Sequence, residues 1–249
     1  MKPKIYFPVI CYNHNVLVHY MFSVMKLCND CMIKNIPIGF DCIYFDSLIA
    51  RARNAAVAGF LNQPDSTHLL FVDTDINFRS EDVFKMLEKD KDVICGLYPK
   101  KYTSKSKLEY VLNLYKKLPN NYESLCTDFS SEILEGGEKA KYAATGFILI
   151  KKEAILKIIE KFPNIKYKND IDAYNGYGDN FYNLFPCEIN PETKKYESED
   201  YGFSRLWRET GGEIFVEKSV ELTHYGWKGY SGNINEQIKL FSKNANPKK

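Results

Sequence analysis

Three D-x-D triplets stand in the sequence: Asp73-Thr74-Asp75, Asp90-Lys91-Asp92 and Asp170-Ile171-Asp172. Carboxylates at i and i+2 of an extended backbone project to one side, where they can hold a hard divalent ion that completes its shell with water and phosphate oxygens. The pattern also arises without function, so context must separate the three. Only Asp73 and Asp75 leave a short apolar run, Leu69 to Val72, that reads as a buried strand. Asp90 and Asp92 fall at a helix-to-strand turn, where solvated charge is the ordinary reading.

Other residues could serve such a site. Arg51 and Asn54 share a helical face at i, i+3, with Ser47 as a candidate cap. Arginines early in a helix oppose its macrodipole unless they meet an anion; a surface arginine pair is the alternative. Gly146, in Ala144-Thr145-Gly146-Phe147, either lets the backbone approach a ligand or forms a bulge. Glu199 and Asp200 follow Ser198, an N-cap residue type, and acidic residues in a first turn also simply complement the dipole. His224 closes an apolar strand, where a neutral imidazole either ligates a metal or packs. Cys28 and Cys31 have C-x-x-C spacing, but no second pair follows and zinc is not expected.

The elements that must position these groups alternate. Strand-like runs at Ile5 to Cys11, Ile36 to Phe45, His68 to Val72 and Val93 to Tyr98 are separated by helical patterns at Val16 to Cys28, Leu48 to Leu61 and Ser80 to Lys89. The pattern loosens from Tyr102 to Lys141 into an inserted loop or hairpin on the rim. It resumes with a strand from Tyr142 to Ile150 and a helix from Lys152 to Lys161. An aperiodic stretch, Tyr167 to Tyr196, reads as a long functional loop. A helix from Ser198 to Thr210 and short strands at Glu213 to Val216 and Val220 to His224 follow. Such alternation predicts a parallel α/β sheet with ligands at the carboxyl ends of its strands.

A net charge of +2 gives neither the basic field of a nucleic-acid binder nor an acidic tail. No apolar run approaches the ~18 residues of a membrane span. Seven scattered cysteines without framework spacing, and no signal peptide, predict a cytosol-like reducing compartment. One domain over 1–241 and a frayed tail over 242–249 are expected.

Taken in order, the D-x-D at 73 to 75, the glycine loop at 145 to 147, the x-E-D at 198 to 200 and His224 resemble the hallmarks of GT-A glycosyltransferases. The likeness runs from the first strand to about Asn233. Ile49-Ala50-Arg51-Ala52-Arg53-Asn54, Gly96-Leu97-Tyr98-Pro99-Lys100-Lys101 and Ser198-Glu199-Asp200-Tyr201-Gly202-Phe203 look like segments of small microbial and viral members. The resemblance implies a GT-A type, Rossmann-like α/β fold: a mostly parallel central sheet flanked by helices, with a variable acceptor-side segment. It implies that Asp73 faces the donor ribose and the metal, that Asp73, Asp75 and His224 hold the metal, and that Gly146 lies along the donor sugar. Tyr12, Arg51 and Asn54 would line the nucleotide pocket, and Asp200, with Glu199 beside it, would address the acceptor hydroxyl.

The activity so implied is sugar transfer from a nucleotide-sugar, UDP-sugar ahead of GDP-sugar, to an acceptor hydroxyl, assisted by Mn²⁺ or Mg²⁺, with inversion favoured. Two rivals stay open: a metal-dependent nucleotidyltransferase, and a catalytically silent glycan-binding protein on the same fold. The Gly-rich phosphate loop expected of the first is absent from Pro8 to Val16.

Overall fold

The computed structural model describes residues 2–101, 130–226 and 229–231. The tail and residues 102–129 of the rim segment lie outside these. The chain runs β1 (Ile5–Cys11), α1 (Val18–Ile33), β2 (Ile38–Tyr44), α2 (Ile49–Leu61), β3 (His68–Val72), β4 (Ile76–Asn77), α3 (Ser80–Glu88) and β5 (Val93–Gly96). A rim hairpin, β6 (Glu132–Ile133) and β7 (Lys139–Tyr142), precedes β8 (Phe147–Lys151) and α4 (Lys152–Lys161). Two 3-10 turns and the small hairpin β9 (Glu188–Ile189) and β10 (Tyr196–Glu197) lead to α5 (Glu199–Glu209), β11 (Ile214–Glu217), β12 (Thr223–Tyr225) and β13 (Gly229–Ser231).

Eight strands form one sheet in the order β2-β1-β3-β8-β5-β11-β7-β6. β2, β1, β3, β5, β11 and β6 point one way; β8 and β7 point the other. The fold is therefore mixed α/β, Rossmann-like and mostly parallel. Alternate residues of the central strands feed two cores. Tyr6, Leu69, Phe71, Val93, Cys95, Ile148 and Ile150 meet α2, α4 and α5, whereas Phe7, Leu70, Val72, Ile94, Phe147 and Leu149 meet α1 and α3. Burial on both faces is why these strands read as unbroken apolar runs.

The expected single strand over Tyr142 to Ile150 is two. Tyr142 ends β7 at the rim and Phe147 begins β8 in the centre. Between them the Ala143 and Ala144 N–H groups donate to the hydroxyls of Ser204 and Ser131, not to a neighbouring strand. The aperiodic loop is also partly core. Tyr174, Phe181, Leu184 and Phe185 pack over the outer side of α2, so α2 is buried without interruption from Ala52 to Phe60.

Candidate functional site

The expected extended geometry at Asp73-Thr74-Asp75 is replaced by a turn. β3 ends at Val72, and the Ile76 N–H donates to the Asp73 carbonyl at 2.9 Å, which folds the triplet back into β4. Two strand pairings then assemble its surroundings. β3 and β8 are antiparallel, with Val72 opposite Phe147, and the Asp73 N–H donates to the Gly146 carbonyl at 3.0 Å. Had β8 run parallel, Gly146 would lie at the opposite end of the sheet. β4 pairs with β12 so that His224 stands opposite Ile76, and the Tyr225 N–H donates to the Asp75 carbonyl at 2.9 Å. Gly146 and His224 thus meet the two aspartates through backbone register.

Gly146 has no room for a side chain. A Cβ there would stand 2.4 Å from the Tyr98 hydroxyl and 2.9 Å from Asp73 Oδ2. Tyr98, just beyond β5, is buried and accepts a hydrogen bond from the Gly146 N–H at 3.2 Å. Burial, then the Asp73 carboxylate, push its hydroxyl well above the usual tyrosine range, so it stays protonated.

Asp73 is engaged from α2. Its Oδ1 accepts from Arg53 at 2.9 Å, and the same buried guanidinium lies 3.6 Å from Glu199 and over the Phe71 ring at 5.2 Å. Arg53, which the i, i+3 pairing of Arg51 with Asn54 passes over, is the arginine at the centre. Its spacing carries no signal, because tertiary packing buries α2 from Ala52 to Phe60 and turns Arg53 to the end of β3. Arg51 instead forks onto Asp46, whose carboxylate also accepts from Tyr174 and the Leu48 N–H. The anions that justify both early arginines are supplied by the protein. Ser47 does not cap α2: the N-cap position is Leu48, with no side-chain cap, and the Leu48 N–H itself donates to Asp46. Asn54 is committed to the outer segment, donating to Asn183 and accepting from the Leu184 and Phe185 N–H groups. Arg51 and Asn54 still line a cleft of about 560 Å³, with Leu48, Tyr167, Asn183 and Tyr196. Tyr12 stands exposed at the exit of β1.

Asp75 and His224 are neighbours, with His224 Nε2 3.5 Å from Asp75 Oδ1. His224 Nδ1 lies 2.9 Å from the Pro99 carbonyl. A carbonyl only accepts, so in the neutral ring Nδ1 holds the proton and Nε2 presents its lone pair to Asp75. Asp75 Oδ1 is buried without a hydrogen-bond partner, while Oδ2 accepts from Lys101. Burial alone would raise the Asp75 carboxyl; a hydrogen bond from His224, which the ring can give through Nε2 only when it is protonated, and the Lys101 ammonium hold it below the usual carboxylate range. An orphaned carboxylate oxygen facing an imidazole lone pair fits a divalent ion. Among the described residues no three His, Cys, Asp or Glu side chains gather into a cage. The fit is to an ion that draws most of its shell from water and substrate oxygens, with Asp75 and His224 as protein ligands.

The acidic pair opens α5 as expected, with Ser198 at the N-cap position. The Ser198 hydroxyl donates to Asp200 and accepts from no helix N–H, and the Tyr201 N–H joins it on Asp200 Oδ1 at 2.9 Å. No hydrogen bond reaches Asp200 Oδ2 among the described residues. Glu199 is pushed above the usual carboxylate range, first by burial, against the pull of Arg53 and with Asp200 adding to it. The other triplets have ordinary partners: Asp92 pairs with Lys157 at 3.0 Å, Asp90 with Lys151 at 2.5 Å, and Asp172 accepts from Asn175. No helix among the described residues is long and apolar enough to cross a membrane.

No family model matches this chain, and no curated protein matches it. Solved structures do. Protein A197 from STIV aligns over 90% of this chain and 86% of its own, at 15% identity and a TM-score of 0.47. The 4-diphosphocytidyl-2C-methyl-D-erythritol synthase from Anaerococcus prevotii aligns over 99% and 100%, at 9% identity and a TM-score of 0.40. A glycosyltransferase involved in glycosylation of the major capsid of PBCV-1 aligns over 65% and 67%, at 11% identity and a TM-score of 0.32.

Proposed function

We propose that this protein is a GT-A type glycosyltransferase that moves a sugar from a nucleotide-sugar, UDP-sugar ahead of GDP-sugar, to an acceptor hydroxyl. The observation that carries this reading is the Arg53 bridge, which joins the carboxylate leaving β3 to the carboxylate opening α5. Donor-side and acceptor-side acids thereby face one site at the carboxyl ends of β1, β3 and β5, where open α/β sheets collect ligands.

In this reading Tyr12, Arg51 and Asn54 flank the nucleoside, and Asp73 and Gly146 lie along the ribose and donor sugar. Asp75 and His224 hold Mn²⁺ or Mg²⁺, which when bound supplies Lewis-acid stabilisation to the leaving diphosphate. The acceptor hydroxyl loses its proton to Asp200 through Oδ2, with Oδ1 fixed by Ser198 and Tyr201. A base opposite the leaving group gives inversion. Glu199, raised by burial and held near Arg53, fixes the start of α5 against the donor side.

The test is incubation with a panel of UDP- and GDP-sugars and Mn²⁺, followed by detection of products. Release of nucleoside diphosphate from one donor supports the reading. Consumption of a nucleoside triphosphate with release of diphosphate would assign nucleotidyl transfer instead. Donor binding without turnover, across a broad acceptor panel, would leave a glycan-binding protein.

A further inference from the structure

We propose that Lys101 is a resident counter-ion of the metal site, holding Asp75 while the divalent ion is away and moving to the donor diphosphate when the ion arrives. The inference rests on the glycosyltransferase reading above and adds to it a residue and a binding order. The two oxygens of Asp75 are used differently. Oδ2 accepts from the Lys101 ammonium, and Oδ1, buried and unpartnered, faces His224 Nε2 at 3.5 Å. A divalent ion entering at Oδ1 would place a second, larger positive charge on a carboxylate already neutralised by lysine. In a half-buried setting the two cations repel strongly, so each weakens the hold of the other.

The repulsion has an outlet. Lys101 carries a compact charge on a flexible stem, and its side chain is 35% exposed, so it can leave Asp75 without unpacking a core. The nearest new anion in a loaded site is the diphosphate that shares the ion, and lysine binds phosphate as a point charge. The Lys101 backbone stays close to the site, because Tyr98 is fixed against Gly146 and the Pro99 carbonyl against His224. A short run after β5 therefore supplies the support for Gly146, the orienter of His224 and the counter-ion of Asp75. Ion and nucleotide should bind cooperatively in the wild-type protein, since the diphosphate takes up the ammonium that the ion displaces.

The experiment is Mn²⁺ titration of the full chain without nucleotide, read by the electron paramagnetic resonance of free Mn²⁺, together with UDP affinity at saturating Mn²⁺. Lys101→Met is expected to bind Mn²⁺ ~10-fold more tightly than wild type and UDP ~10-fold more weakly, in the usual range of coupling between sites. Lys101→Arg, which keeps the charge, should bind Mn²⁺ no more tightly than wild type. Asp75→Asn should lose Mn²⁺ binding. If Lys101→Met binds Mn²⁺ as wild type does or more weakly while Asp75→Asn still loses it, the counter-ion role is overturned and the ion site stands. Unchanged UDP affinity in Lys101→Met overturns the transfer to the diphosphate. If Asp75→Asn binds Mn²⁺ as wild type does, the ion site itself falls, and the role of Lys101 with it.

Discussion

The Arg53 guanidinium donates to Asp73 Oδ1 at 2.9 Å and stands 3.6 Å from Glu199 Oε1, so one buried cation serves two acids from distant parts of the chain. Arg53→Met would leave both carboxylates without their partner, at a cost of about 2–3 kcal/mol in unfolding free energy. Arg53→Lys should recover part of that loss. Chemical denaturation measures both. A methionine variant as stable as wild type would show that the acids find other partners.

Gly146→Ala tests the close approach of β8 to Asp73. The added Cβ meets Tyr98 Oη at 2.4 Å and Asp73 Oδ2 at 2.9 Å, and forcing these apart is expected to cost about 1–3 kcal/mol. Tyr98→Phe removes the nearest obstructing atom, so the double variant should lose less than the sum of the singles. Strictly additive losses would place the constraint on the backbone instead.

Much of this architecture is legible in the residues, for physical reasons that also mark where legibility ends. β1 and the ends of α2, β3 and α4 follow from apolar runs and helical periodicity, because burial dictates both. The direction of β8 does not follow, since a central strand buried on both faces has the same apolar run whichever way it points. The turn at Asp73 is hidden for a similar reason: β4 has two residues, too few for any periodicity, yet its pairing with β12 is what delivers His224 to Asp75. In α2 the spacing rule selects Arg51 and Asn54 as a face, while tertiary packing decides that Arg53 is the residue turned to the site. Lys101 carries no local signature at all, and its role depends on where Asp75 stands.

Glu199 should reveal itself in the pH dependence of stability. Burial raises its carboxyl above the ordinary value of 4.5. A group that binds its proton more tightly when folded contributes stability fully below its unfolded pKa and loses it as pH rises through the folded one. Glu199→Gln removes that loss. Its Tm relative to wild type is expected to be higher at about pH 7 than at about pH 4, with the change falling between the unfolded and folded pKa values. A variant whose relative Tm falls as pH rises would mean that ionised Glu199 is held by Arg53 more strongly than burial disfavours it.

Asp200 separates catalysis from stability. A carboxylate that only complements the start of α5 contributes about 0.3–1 kcal/mol. As the acceptor base, it should lose transfer by roughly 10²- to 10⁴-fold in Asp200→Asn, with nucleotide affinity close to wild type. Transfer at the wild-type rate with a lowered Tm would confine Asp200 to the helix start.

The ion site is the centre of the account, and two aspartates of the same local pattern test it against each other. Asp75 has a buried, unpartnered oxygen facing His224, whereas Asp92 is spent on a surface pair with Lys157. The measurement is the rate of nucleoside diphosphate release from the best donor with Mn²⁺, for wild type, Asp75→Ala and Asp92→Ala, with EDTA-treated wild type alongside. Asp75→Ala should fold normally yet lose at least ~10²-fold, on the scale of one main electrostatic stabiliser; EDTA should abolish release, and Asp92→Ala should match wild type. Equal behaviour of the two alanine variants, or full turnover in EDTA, would contradict the assignment of the ion to Asp75 and His224.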